Sequence, residues 1–362
     1  MVPCSSIPVQ NFRLEGNIVS FVPCGNGHIN RTWRVATDRE AEYLFQLVNT
    51  DVFRDMDGLM GNIARVTEHI RKKVAQEGGD PDRETMQIVP ALDGKLYCVT
   101  ENGCFRAYRF IKNAIALEKP RSPEDFYLTA KAFAKFQLQL LDFPAEELKE
   151  VIPDFHNTPK RLENLFRAAE EDSMGRRKYV ERELEFVRAR QDFAPTLTDA
   201  IEDGRLPLRV THNDTKLNNL LFDKGNMKPL AVVDLDTVMP GTSLYDFGDG
   251  IRYGAATAEE DEKDLSLVTC DMELYGEFVR GWAEVFGKDM TEGEKALLYL
   301  SPRVLTLECG ARFLTDYLQG DSYFSVSRPE QNLDRCRTQF KLVADMEEKE
   351  EEMLRLTEKY LK

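Results

Sequence analysis

One segment constrains this chain more than any other: LRVTHNDTKLNNLLFDKGNMKPLAVVDLDTV, residues 208–238. Apolar runs at 220–222 and 230–233 flank the turn-forming stretch DKGN, the pattern of two short strands folded back on each other. Such a ribbon brings its two open ends together. The polar loop HNDTKLNN at one end and Asp234 at the other are therefore predicted to meet. Asp214 and Asn219 stand five positions apart in that loop, so one short turn can present two oxygen-bearing side chains in different directions. Asp234 follows a fully apolar run, as a carboxylate does when a buried strand delivers it to a site rather than to bulk water. Asp236 is a candidate supporting or second carboxylate, and His212 is expected to brace the loop by hydrogen bonds.

On the N-terminal side of this ribbon, residues 16–49 read as a hairpin and a third strand: NIVSFVP, TWRVAT and EYLFQLVN, with a glycine-containing loop CGNGHIN after the first. MDGLMGNIARVTEHIRKKVAQEG then sets Leu59, Ile63, Val66, Ile70 and Val74 at helical spacing, and Gly78 and Gly79 stop it. QIVPALDGKLYCVT and CFRAYRFI read as further strands. After about residue 111 helices dominate. Ser122 before Pro123 opens one of them, and helical stretches are expected at 160–204, 258–288, 291–319 and 327–361. The expectation is an α+β chain of two lobes, a small antiparallel-sheet lobe with one main helix and a larger helical lobe.

Charge narrows the partners. Forty-eight Lys and Arg against 63 Asp and Glu leave −15, which repels phosphate backbones and anionic lipid, so neither nucleic acid nor a membrane is expected as a partner. The seven cysteines are scattered without a CxxC pair, which argues against a disulfide framework or a zinc site and fits a reducing compartment. The start MVPCSSIPVQNF lacks the basic and apolar regions of a signal peptide, so a cytoplasmic location is expected.

The spacing from Asp214 to Asn219 is the D-x-x-x-x-N of a kinase catalytic loop. HNDTKLNN followed by VVDLD resembles the aminoglycoside phosphotransferase and choline kinase superfamily, which has a protein-kinase-like fold. The segments CGNGHINRTW, FHNTPKR, THNDTKLNNLLFD, VVDLDTVMPGTSLYDFGDGIRYGA and RFLTDYLQGD resemble N-acetylhexosamine 1-kinases more closely still, over residues 24–320. The resemblance implies an N-lobe at 1–111 with the phosphate loop and hinge strand, and a C-lobe at 112–362 with the catalytic loop, metal site and acceptor-binding helices. It implies ATP-dependent phosphorylation of the anomeric hydroxyl of an N-acetylhexosamine, with Asp214 as base and Mg2+ held by Asn219 and Asp234. Lys216 is either the fixed cation beside the transferring phosphoryl group or a surface lysine. The literal Asp246-Phe247-Gly248 is read as a decoy, with Asp246 an N-cap or loop brace rather than a metal ligand.

For ATP, Gly25 and Gly27 would let backbone amides approach phosphates, and backbone at Phe110, Ile111 and Lys112 would meet adenine. The third strand departs from the kinase pattern. It offers Gln46 where a lysine normally reaches the phosphates, and this puts Glu68 as a helix partner in doubt. For the acceptor, His28, Tyr253, Arg312 and Tyr323 are candidates, with Phe155, His156 and Asn157 shaping the same pocket or forming a plain loop. The alternatives are a kinase of another small alcohol (aminoglycoside, choline or homoserine) and a nucleotide-binding pseudokinase or regulatory module prompted by Gln46.

Overall fold

The computed structural model of the chain describes residues 7–25 and 29–362. The strand-rich beginning forms β1 (Ile18–Pro23), β2 (Arg31–Thr37) and β3 (Glu42–Val48), then α1 (Met56–Gln76) and α2 (Pro81–Glu84), then β4 (Ile88–Val89), β5 (Cys98–Thr100) and β6 (Gly103–Arg109). These strands make one antiparallel sheet in the order β1-β2-β3-β6-β4, with β5 also on β6. Alternation splits the sheet into two faces. Trp33, Val35, Tyr43, Phe45, Phe105 and Ala107 close an outer core, while register sets Gln46 directly opposite Arg106 on the other face.

Helix α1 is capped by Asp55, whose side chain accepts from the Gly58 amide. Its predicted stripe of Leu59, Ile63, Val66, Ile70 and Val74 is buried, and the core it enters also holds Phe136, Leu140, Val210, Leu235, Val238 and Met239 from the second lobe. Asn62 adds polar ties across the same boundary, donating to the Lys149 carbonyl at 2.7 Å and the Val238 carbonyl at 3.0 Å.

The larger lobe comprises β7 (Ala114–Ala116), α3 (Pro123–Gln139), α4 (Thr158–Glu171), α5 (Glu181–Arg188), α6 (Thr196–Glu202), β8 (Arg209–Thr211), β9 (Leu220–Asp223), β10 (Pro229–Val232), β11 (Met239–Gly241), α7 (Ser243–Gly254), α8 (Met272–Phe286), α9 (Glu292–Leu297), α10 (Ser301–Gln319), α11 (Gln331–Glu348) and α12 (Glu350–Leu361). Strands β7, β9 and β10 form one small sheet, and β8 with β11 another. Helices α3, α7 and α8 pack Phe126, Phe133, Phe247, Phe278 and Trp282 into the main core. Gly281 permits the close approach of α8, since a Cβ there would lie 2.4 Å from the Tyr127 carbonyl oxygen.

The two-lobed α+β expectation holds. Helix lengths differ from it for local reasons. The stretch 160–204 divides into three helices, interrupted at Gly175 with φ +66° and at Pro195. Helix α8 begins only at Met272, because Asp264 turns its side chain onto the Ser266 amide and holds a turn, and Asp271 caps the helix by accepting from the Glu273 and Leu274 amides.

Candidate active site

Strand β8 ends in the loop that carries the polar cluster, and a buried carboxylate shapes that loop from behind. Asp246, fully buried on α7, accepts from the His212 amide at 3.0 Å, the Asn213 amide at 2.8 Å and Gln137 Nε2 at 2.7 Å. It is the loop brace; the N-cap of α7 is Thr242, whose side chain accepts from the Leu244 amide. His212 Nε2 lies 2.9 Å from the Val233 carbonyl, which can only accept, so Nε2 carries the proton and Nδ1 is left to accept from the Asp214 amide at 3.3 Å. One ring thus ties the loop to the returning strand. Asn213 takes a left-handed φ of +66° and donates to the Thr237 carbonyl at 2.8 Å.

The hairpin brings its ends together as its pattern predicts. Leu220 pairs with Val232, and the Val233 amide donates to the Asn219 carbonyl at 2.9 Å. Asn219 gives both of its amide hydrogen bonds to Asp214, at 2.8 Å to the carbonyl and 3.1 Å to Oδ2, which leaves its own Oδ1 facing away from Asp214. Lys216 Nζ lies 3.1 Å from Asp214 Oδ1, and both side chains are 30% exposed. Burial pushes the Asp214 carboxyl up, but the Lys216 ammonium, together with the charges of His212 and Arg252, outweighs it and holds the carboxyl below its ordinary range. The same pairing raises Lys216, so both stay charged.

Asp234 has a left-handed backbone, φ +59° and ψ +60°. The residue is exposed to solvent. Burial, then the charges of Asp236 and Asp214, push its carboxyl up to about 7. Asp236 is different. It is buried against Arg106, with Nη1 to Oδ1 at 2.6 Å and Nη2 to Oδ2 at 2.7 Å, and it accepts from Asn30 Nδ2 at 2.7 Å. Arg106 Nε in turn donates to Gln46 Oε1 at 2.9 Å, and Gln46 Nε2 to Thr32 Oγ1 at 3.1 Å. Glu68 stands on the exposed side of α1 paired with Lys72, away from this network. Arg106 escaped sequence reasoning, although its signal was a charge in the middle of the strand-like CFRAYRFI, on the same strand face as Cys104 and Tyr108 and opposite to that of Arg109.

Of the residues expected to meet nucleotide, Gly25 has φ +82° with open space where a Cβ would stand; Gly27 and His28, the latter expected at the acceptor, lie outside the described residues. The Phe110 amide is taken by the Glu42 carbonyl and the Lys112 carbonyl by Arg83, whereas Ile111 makes no backbone hydrogen bond among the described residues. Of the residues expected to meet the acceptor, Arg312 lies 4.9 Å from the Phe155 ring and 5.5 Å from the Phe324 ring, with the half-exposed Tyr323 beside it. Arg161, unforeseen from sequence, donates twice to the Phe155 carbonyl at 3.1 Å and is pushed down by burial and by the charge of Arg312. The neighbouring Glu308 is spent on His156 Nδ1 and Thr158 Oγ1, each at 2.7 Å. His156 Nε2 reaches the Asn213 carbonyl at 3.2 Å, so it buttresses the catalytic loop. Asn157 caps α4 through the Lys160 amide. Tyr253 is half-buried with Arg252 6.0 Å from its ring.

Residues 20–286 match the phosphotransferase enzyme family, APH, over more than half of the chain. The chain belongs to that family. Among solved structures it is similar to a microcompartment-associated aminopropanol kinase, at 16% identity over 95% of this chain and 96% of that one with a TM-score of 0.58. It is similar to amicoumacin kinase hAmiN in complex with AMP-PNP and Ca2+, at 13% identity over 89% and 87% with a TM-score of 0.57. A choline kinase from Cryptosporidium parvum Iowa II matches at 15% identity over 99% and 97%, with a TM-score of 0.52. At these identities the likeness is one of fold, a two-lobed kinase-like architecture. As a member of the APH family, the chain is a phosphotransferase enzyme.

The APH residues present fit a divalent ion that arrives with a nucleotide. Among the described residues there is no group of three His, Cys, Asp or Glu side chains able to cage a metal. Magnesium needs no such cage: it keeps several waters and is held by one or two protein oxygens plus phosphates. Asn219 Oδ1 and the exposed Asp234 carboxylate are the two oxygens that would hold it. Asp234, without an ion-pair partner among the described residues and pushed up beside two other carboxylates, is the group whose charge such an ion would satisfy.

Proposed function

We propose that this phosphotransferase moves the γ-phosphoryl group of ATP onto the anomeric hydroxyl of an N-acetylhexosamine, giving a sugar 1-phosphate. Asp214 is the base. As the acceptor oxygen bonds to the γ-phosphorus, the bond from phosphorus to the bridging oxygen breaks, ADP leaves, and the acceptor proton passes to Asp214. Lys216 fixes the Asp214 carboxylate and places positive charge beside the transferring group. Asn219 and Asp234 would hold Mg2+, whose charge, when bound, offsets that of the phosphates. Gly25 and Gly27 would lie under the phosphates, and Ile111, flanked by Phe110 and Lys112, would meet adenine. Gln46 has no charge to give them.

The observation that carries the acceptor assignment is the pairing of Arg312 with Arg161 among aromatic rings, two cations against the nearby charge of Glu308, which is itself hydrogen-bonded to His156 and Thr158. Aminopropanol and choline are cations near neutral pH, and two adjacent guanidinium groups repel a cation. An uncharged sugar suits the same walls: arginine donors meet its hydroxyls and acetamido carbonyl, and Phe155, Phe324 or Tyr323 covers its apolar face. Tyr253 completes the proposed acceptor contacts, to which the sequence adds His28, outside the described residues. The described cysteines are all free, which agrees with a cytoplasmic location.

The test is a panel of free hexosamines, N-acetylhexosamines, amino-alcohols and aminoglycosides with magnesium and ATP, read by mass for phosphorylated product. Sugar 1-phosphate from N-acetylhexosamines is expected. Turnover confined to the amines would overturn the acceptor assignment while leaving the family intact.

A further inference from the structure

Asp234 and Asp236 are two positions apart, yet only one of them is offered to the cleft. Asp236 is 5% exposed and Arg106 1% exposed, and the guanidinium grips both carboxylate oxygens while Asn30 donates to one of them. Arg106 is itself held flat. Its Nε is taken by Gln46, the residue directly across the β3–β6 ladder, and Gln46 is anchored to Thr32. The third strand therefore contributes no cation of its own. It contributes the amide that aims a cation from the neighbouring strand.

We infer that Arg106 is a positioning residue of the metal site, sequestering Asp236 so that Asp234 is the single carboxylate presented to the divalent ion. This rests on the phosphotransferase reading above. Affinity for a hard divalent cation rises with the number of anionic oxygens that can reach it. A released Asp236, two residues from Asp234, would become a second anionic ligand and would draw the ion off the phosphates it must neutralise. Holding Asp236 to Arg106 keeps the ion weakly bound by protein and shared with the nucleotide. A fixed positive charge also stays close to Asp234, which the Arg106 guanidinium partly offsets.

The test measures binding of Mn2+ in the presence of ADP by electron paramagnetic resonance, alongside kcat and the KM of both substrates. For Arg106→Gln, Mn2+ binding should tighten by about tenfold as Asp236 joins the ion, while kcat falls by about tenfold because the ion no longer sits on the phosphates. Adding Asp236→Asn to that variant should erase the gain in Mn2+ affinity. Should Arg106→Gln fail to fold, the paired change Arg106→Met with Asp236→Leu removes both charges together and should bind Mn2+ as the unaltered protein does. Unchanged Mn2+ affinity in Arg106→Gln, or loss of Mn2+ binding in the folded paired variant, overturns the inference and leaves the phosphotransferase reading standing. Failure of the unaltered protein to bind Mn2+ with ADP would instead sink the metal assignment of Asn219 and Asp234, and the inference with it.

Discussion

The Asn219 amide is committed to Asp214: Nδ2 lies 2.8 Å from its carbonyl and 3.1 Å from Oδ2, so the residue proposed to touch the metal also aims the residue proposed to take the proton. Asn219→Asp separates the two duties. It keeps an oxygen for the ion but loses both donations and sets a second carboxylate beside Asp214. A like charge at that range raises a carboxyl. Asp214 should then be protonated at higher pH, and the acid limb of the kcat/KM profile should move to higher pH. An unmoved limb would mean that Asp214 is not the group titrating there.

Asp214→Ala should lower turnover by about a hundredfold or more, the range typical of removing a general base. Nucleotide binding should be retained, since Asp214 is proposed to contact the acceptor. Full turnover in the folded variant would remove Asp214 from the chemistry.

Lys216→Met removes the ammonium that holds Asp214 down. Two effects are expected together: a lower kcat, and an acid limb displaced toward higher pH because burial is then opposed only by the charges of His212 and Arg252. A loss in kcat with no displacement would assign Lys216 to the phosphoryl group alone.

Asp234 links pH to stability. Its folded pKa, raised to about 7, exceeds its unfolded value, so what it contributes is fully present below about pH 4 and is lost as pH rises through 7. Solvent at the cleft mouth screens part of this. The metal-free protein should therefore melt progressively lower as pH goes from 4 to 8, and saturating Mg2+ with ADP should restore most of the loss at pH 8 and little at pH 5. Asp234→Asn should flatten both trends, as followed by calorimetry.

Asp246 separates a structural carboxylate from a ligating one. Asp246→Ala leaves the His212 and Asn213 amides and Gln137 without their acceptor, which should cost about 3 kcal/mol, visible as a lower urea midpoint. If the variant melts normally but binds no metal, the DFG reading set aside from sequence has to be restored.

The DKGN turn and the apolar runs around it made the return of the chain to Asn219 legible, where Val233, next to Asp234, bonds it, because a hairpin's pairing follows from local pattern. The stripe from Leu59 to Val74 was legible for the same reason. Arg106 was not, since its role depends on a partner 130 residues away. Nor was Arg161, whose significance comes from facing Arg312 across unrelated helices. The loop at 258–271 was misread as helix because aspartates that cap turns are also common on helix surfaces. Gln46 looked like a loss when read along one strand. Only the ladder, which sets it opposite Arg106, gives it work to do.

Helix α1 contributes its apolar stripe to a core shared with residues 210, 235, 238 and 239, and Asn62 bonds across the same seam. A rod embedded that way cannot swing outward without opening hydrophobic interior to water, so the part that serves many kinases as an on-off lever is here welded shut. Output of such an enzyme would track the supply of its two reactants rather than a command delivered to that helix.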